Sequence, residues 1–127
     1  TGGADAAAGL AVPILRSFSE AEARDFHLRF LGFEVVFEHR FDAGMPLYME
    51  PRRGDCVLHV SEHHGDAAPG AAVRVQVPDA DAVLAELREW GHPRRNPGVE
   101  AMPWGERQVA LKDPFGNRLV FWSAAPA

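Results

Sequence analysis

The chain has 127 residues, of which 46% are hydrophobic and 24% charged, with a formal net charge of -5 and one cysteine. That length suits one core, or two small repeats sharing one, but not two independent domains. The acidic balance excludes a duplex-DNA reader, which needs a basic face; no apolar run reaches the roughly 20 residues of a bilayer span, and lone Cys56 excludes an internal disulfide.

Residues 1–9, TGGADAAAG, have no periodicity and read as a flexible lead. LAVPILR, from Leu10 to Arg16, is an apolar run of strand length, and Ser19 stands three residues before Glu22, the capping-box spacing that opens a helix. Ala23, Phe26 and Phe30 continue as one apolar stripe, and Gly32 is the expected stop. Extended segments follow at Phe33 to Phe41, Pro46 to Glu50 and Asp55 to Ser61, punctuated by glycine and proline.

The second half says the same thing again. In AAVRVQV, Val73, Val75 and Val77 share one strand face while Ala72, Arg74 and Gln76 share the other. Pro78-Asp79 opens a helix in which Ala80, Val83, Leu84, Leu87 and Trp90 keep helical spacing until Gly91. A turn-rich stretch from Pro93 to Met102 precedes strands at Glu106 to Lys112 and Arg118 to Ser123. Each half is therefore β-α-β-β-β and too small to close a core alone. The expectation is an α+β domain in which two βαβββ modules, residues 10–66 and 67–123, form a curved eight-stranded sheet cup with helices outside; residues 124–127 are a tail.

That layout, joined to DFHLRFLGF at residues 25–33 and DPFGNRLVF at residues 113–121, resembles the vicinal oxygen chelate superfamily of glyoxalases, extradiol dioxygenases and antibiotic-binding resistance proteins. The resemblance runs from Leu10 to Ser123. It is most specific toward the bleomycin-resistance proteins, through AVPIL at residues 11–15 and PWGERQVALKDPFGN at residues 103–117. It implies a homodimer that sequesters a small organic ligand, a cationic antibiotic in those relatives, in clefts between subunits, with no metal and no reaction. With one cysteine and no secretory segment ahead of the first strand, a cytoplasmic location is expected. Nucleic-acid and membrane partners are not.

Residues 56–66, CVLHVSEHHGD, raise the metal question. Enzymes of the superfamily carry a metal ligand on the first and last strand of each module. Aligned here, those positions are Val12, His59, Ala72 and Val120, and three of them have no lone pair to give. The alternative is a rebuilt site for zinc, iron or manganese from His59, His63, His64 and Glu62, serving a lyase, isomerase or dioxygenase. A strand rises about 3.3 Å per residue, so His59 and His63 reach one ion only if a turn intervenes.

Without metal, His59 on the inner face is expected to contact ligand. Trp104, in a loop between Pro103 and Gly105, is expected to stack on it, as the matching tryptophan does in the relatives. Arg74, Gln76 and Arg118 supply a polar floor, Phe41 a wall, and His63 and Gly116 complete the expected ligand set. A third option is an anionic metabolite held by Arg74 and Arg118.

Overall fold

The computed structural model describes residues 7–92 and 95–125. Its first half runs β1 (Ile14–Arg16), α1 (Glu20–Arg24), a π-helical turn (Asp25–Phe30), β2 (Glu34–His39), β3 (Tyr48–Arg53), β4 (Cys56–Val57) and β5 (His59–Ser61). The second runs β6 (Ala72–Gln76), α2 (Ala80–Trp90), β7 (Glu100–Met102), β8 (Glu106–Lys112) and β9 (Arg118–Ala124). The duplication is visible in the pairing. One sheet has the order β1-β5-β3-β2, with β4 beside β3, and the other the order β6-β9-β8-β7. In both, the first and last strands of the module run parallel, and the other pairs are antiparallel.

The helices begin and end for the anticipated reasons. The Ser19 side chain accepts from the Glu22 N–H at 3.2 Å, and Asp79 caps α2 by accepting from the Asp81 N–H at 3.0 Å. Past Arg24 the first helix widens, and an i to i−5 bond from the Leu31 N–H to the Phe26 carbonyl, 3.0 Å, accompanies the burial of Phe26, His27 and Phe30 together. Gly32, at φ 73°, turns the chain where a Cβ would lie 2.6 Å from the Trp90 ring.

Two boundaries differ from the sequence reading around Pro51. The segment expected to end at Glu50 continues to Arg53, carrying Pro51 in a strand with neighbours on both sides. Proline brings no N–H to a ladder, and the register slips between Val35 and Phe37 opposite it. On its other side the Pro51 carbonyl accepts from the Leu58 N–H at 3.1 Å, at the residue that separates β4 from β5. The strand expected from Leu10 is confined to Ile14–Arg16. In place of one eight-stranded sheet there are two sheets, hydrogen-bonded separately and not closed.

Each sheet has an apolar and a polar face. Leu15, Leu58, Phe26, Phe30, Leu84, Leu87, Val109, Leu111, Leu119 and Phe121 form a core shared by both modules, while Ala23, Leu47, Met49 and Val60 pack under α1. Asn117 clasps the modules: fully buried, its Nδ2 donates to the Arg16 carbonyl at 2.9 Å and to Asp113 Oδ2 at 2.8 Å, and its Oδ1 accepts from the Gly70 and Ala71 N–H groups. In the turn that carries Asn117 the positive φ falls on Gly116, at 89°.

Candidate ligand site

With the helices covering the apolar faces, alternation turns the other residues of each strand outward. Cross-strand register places Ile14 beside His59, Arg16 and Tyr48 beside Ser61, His39 beside Tyr48, and Phe37 beside Glu50. His59 is the centre of this face. Its Nδ1 lies 2.6 Å from the Tyr48 hydroxyl and its Nε2 2.9 Å from Glu50 Oε1, while Glu50 Oε2 accepts from Arg52 at 3.1 Å. The hydrogen bond from His59, seconded by Arg52, holds the Glu50 carboxyl below the usual carboxylate range. Burial, with the nearby charges of Asp66 and Glu50, pushes the Tyr48 phenol up, so it stays protonated.

The open face of the second sheet carries Ala72, Arg74 and Gln76 beside Arg118, Val120 and Trp122. Arg74 packs over the Trp122 ring, 4.7 Å from its centroid, and its guanidinium donates to Glu106 Oε2 at 2.5 Å. The other Glu106 oxygen accepts from the Trp104 indole N–H. Trp104 itself is 62% exposed. Glu106, which reads in the sequence as an ordinary surface acid, thus ties the two aromatic groups together. Arg118 is exposed and makes no ion pair with a described residue.

The expected ligand set therefore divides. His59 lies on the first sheet, and Arg74, Gln76, Arg118 and Trp104 belong to the second module. Phe41, 77% exposed, follows β2 and packs edge-on to His39. Gly116 sits in the turn before β9, apart from both clusters of side chains, and serves backbone geometry. His63 turns away into a loop in which its N–H donates to Ser61 Oγ, and that hydroxyl donates to Asp66 Oδ2 at 2.6 Å. Two cavities adjoin these faces. One of about 400 Å³ is lined by Arg16, Phe18, Glu20, Arg40, Met45 and Glu62. The other, of about 800 Å³, lies between β4 and β6 against Val73, Val75, Leu58 and Phe121, with Arg74 and Gln76 also lining it. Neither His59 nor Trp104 lines either.

Metal donors do not converge. Beside the aligned positions Val12, His59, Ala72 and Val120, the register sets Ile14 next to His59 and Arg74 next to Val120. Isoleucine and a guanidinium are no better as ligands than valine and alanine. Of the alternative set, His59 takes Glu50 as its carboxylate, the Glu62 Oε1 accepts from the Leu47 N–H at 2.8 Å, and His64 is exposed. Among the described residues, no group of three His, Cys, Asp or Glu side chains could hold an ion. The residues present do not fit the superfamily's metal.

Tyr48 and Glu50 were missed by the sequence reading. Both lie in a predicted strand, and their two-residue spacing put them on one face, but only the register of β3 against β5 brings that face to His59.

The family model for "Glyoxalase superfamily protein" matches residues 5–125. The chain belongs to the glyoxalase superfamily. Among solved structures it is similar to a bleomycin-binding protein complexed with bleomycin, at 28% identity and TM-score 0.69 over 91% of this chain and 98% of that one. A bleomycin resistance determinant encoded on the transposon Tn5 follows at 26% identity and TM-score 0.68, over 92% and 98%. A glyoxalase/bleomycin resistance protein/dioxygenase superfamily member from Sphaerobacter thermophilus has 25% identity and TM-score 0.66, over 93% and 98%. No curated protein matches the chain. None of the described helices of this superfamily member is long and apolar enough to cross a membrane.

Proposed function

We propose that this protein binds a small, flat organic molecule of the antibiotic type and sequesters it without metal or chemistry, as a cytoplasmic homodimer. The observation that carries the reading is the division of the site into two prepared halves. His59, Tyr48 and Glu50 offer hydrogen bonds on one sheet; Trp104, Trp122 and Arg74 offer flat faces on the other. A second copy joins such halves into a cleft.

The sheet edges support the same assembly. In β6, Val77 donates to the Trp122 carbonyl and the Ala71 carbonyl accepts from Arg118, so the backbone groups of Ala72, Arg74 and Gln76 point to an edge with no neighbouring strand. In β1 the Pro13 carbonyl accepts from His59 and Ser17 donates to the Ser61 carbonyl, which turns the backbone groups of Ile14 and Arg16 away from β5; the Arg16 carbonyl is met there by Asn117, and those of Ile14 face no strand among the described residues. Backbone groups left open along a strand edge are a liability that pairing with a partner removes. A cleft with β1 from one subunit and β6 from the other uses both edges and both half-sites, twice per dimer.

Isothermal calorimetry with bleomycin tests the reading, together with light scattering for the dimer. Binding of one ligand per chain, weakened at least about tenfold by Trp104→Ala, is expected. A monomer in solution, or no heat and no protection of cells that express the protein, sinks it. The anionic-metabolite reading is less favoured because the Arg74 charge is already met by Glu106.

A further inference from the structure

Glu50 is ionised and can only accept, so the proton between it and His59 sits on Nε2. In the neutral imidazole Nδ1 is then an acceptor, and the bond at 2.6 Å is donated by the Tyr48 hydroxyl. The phenol has one proton and has used it. What Tyr48 still has to offer is its oxygen lone pairs. Glu50 also keeps spare acceptor capacity, since a carboxylate has about four lone-pair sites and His59 and Arg52 use one on each oxygen. The face is thus donor-poor at its centre, with two acceptors on alternate residues of one strand.

Resting on the sequestration reading, and adding residues and a ligand chemistry to it, we propose that Tyr48 and Glu50 are binding residues that receive a planar N–H donor cation, an amidinium or guanidinium group. The neutral edge of His59 between them sets the polarity of both. A planar cation with N–H groups on two sides meets a phenolic oxygen and a carboxylate oxygen together, which a carboxylate or a carbonyl ligand cannot do. The charged and titratable neighbours on this face are Arg52 on β3, Arg16 on β1, Glu34 and His39 on β2, and Glu62 and Asp66 after β5. Arg16 is engaged with the Glu62 carbonyl at 2.6 Å and with the Phe18 ring.

Benzamidine and benzoate, matched in size and opposite in hydrogen-bonding polarity, are the probes. Both are titrated into the full chain at about pH 8, above the range in which imidazoles ordinarily take up a proton, with imidazole 15N resonances reporting the tautomer and Tyr48 and His59 resonances reporting contact. We expect an Nε2-protonated neutral ring, benzamidine binding that moves both residues, and benzoate moving neither. Tyr48→Phe and Glu50→Gln should each weaken benzamidine about tenfold while the fold, read from the remaining resonances, is kept. His59→Gln, which can still accept from the phenol and donate to the carboxylate, should retain binding. An Nδ1-protonated ring, equal binding of the two probes, no contact by benzamidine, or Tyr48→Phe binding as wild type each overturns the proposal. Failure of bleomycin to bind while benzamidine does so would instead remove the sequestration reading and leave this one standing.

Discussion

Asn117→Ala is the sharpest test of how the two modules are held. The amide makes four bonds: to the Arg16 carbonyl at 2.9 Å, to Asp113 Oδ2 at 2.8 Å, and from the N–H groups of Gly70 at 3.2 Å and Ala71 at 3.3 Å. Gly70 is exposed, so its N–H turns to water when the amide is gone. Asp113 is buried and Arg16 half-buried, and each of their acceptors left unmet costs about 1 to 3 kcal/mol. The expected loss is about 2 to 6 kcal/mol, a large fraction of the stability of a domain this size. With a typical slope for a small protein, the urea midpoint falls by roughly 2 M. Asn117→Asp should be worse, because it sets a second acceptor against Asp113 Oδ2 and the Arg16 carbonyl, where the amide had donated. Equilibrium unfolding followed by circular dichroism measures both. An alanine variant within about 0.5 kcal/mol of wild type, or an aspartate variant more stable than the alanine, would refute the clasp.

Three further outcomes follow from particular residues. His27 is fully buried, neither ring nitrogen has a hydrogen-bond partner, and burial lowers its pKa from 6.5 to about 4. Above pH 6.5 it is neutral folded or unfolded. Between 6.5 and about 4 only the unfolded chain takes the proton, so stability falls with pH by about 3 kcal/mol, offset in part by Asp113, whose burial-raised pKa makes the folded state bind a proton first. His27→Leu should flatten that slope in urea titrations without loss at neutral pH; an unchanged slope contradicts the assignment. Gly32→Ala combines a positive φ with a Cβ against the Trp90 ring and should cost more than about 1 kcal/mol in thermal melts, part of it recovered by Trp90→Leu in the same chain. Glu106→Gln, in a chain keeping Trp104 as its sole tryptophan, should raise the indole's mobility in fluorescence anisotropy, since the charge that holds both Arg74 and the indole N–H is gone.

Much of the fold was legible because both modules obey simple periodicities. Val73, Val75 and Val77 alternate with Arg74 and Gln76, and the structure puts the valines against the core and the polar pair outside. The caps at Ser19 and Asp79 and the stops at Gly32 and Gly91 were equally local signals. The site was legible only residue by residue. His59 could be placed on a face from DCVLHVS, but its partners come from β3, and strand register is a property of the whole sheet. Pro51 obscured that register further, since its missing N–H falls on the side where β4 gives way to β5. That His59 and Trp104 belong to different sheets could not be read from spacing either, since two separate sheets and one continuous sheet share the same strand pattern. The bridge from His92 to Arg95 lies in the turn-rich stretch whose residues 93 and 94 fall outside the described ones.

The pairing of Arg74 decides what its half of the site accepts. An anion would have to draw the guanidinium off Glu106, leaving a half-buried carboxylate unpaired and the Trp104 indole tied to an uncompensated charge. The Arg74 charge is thus offset where it stands, and the cation left on this half for an anion is Arg118, exposed and in no ion pair with a described residue. A flat ligand meets no such obstacle. It lies on the exposed face of Trp104 while the ion pair and the stack of Arg74 on Trp122 stay in place. On the proposed reading, Arg74 serves this floor as a flat, neutralised surface, and selection for a cation falls to the acceptors on the opposite half.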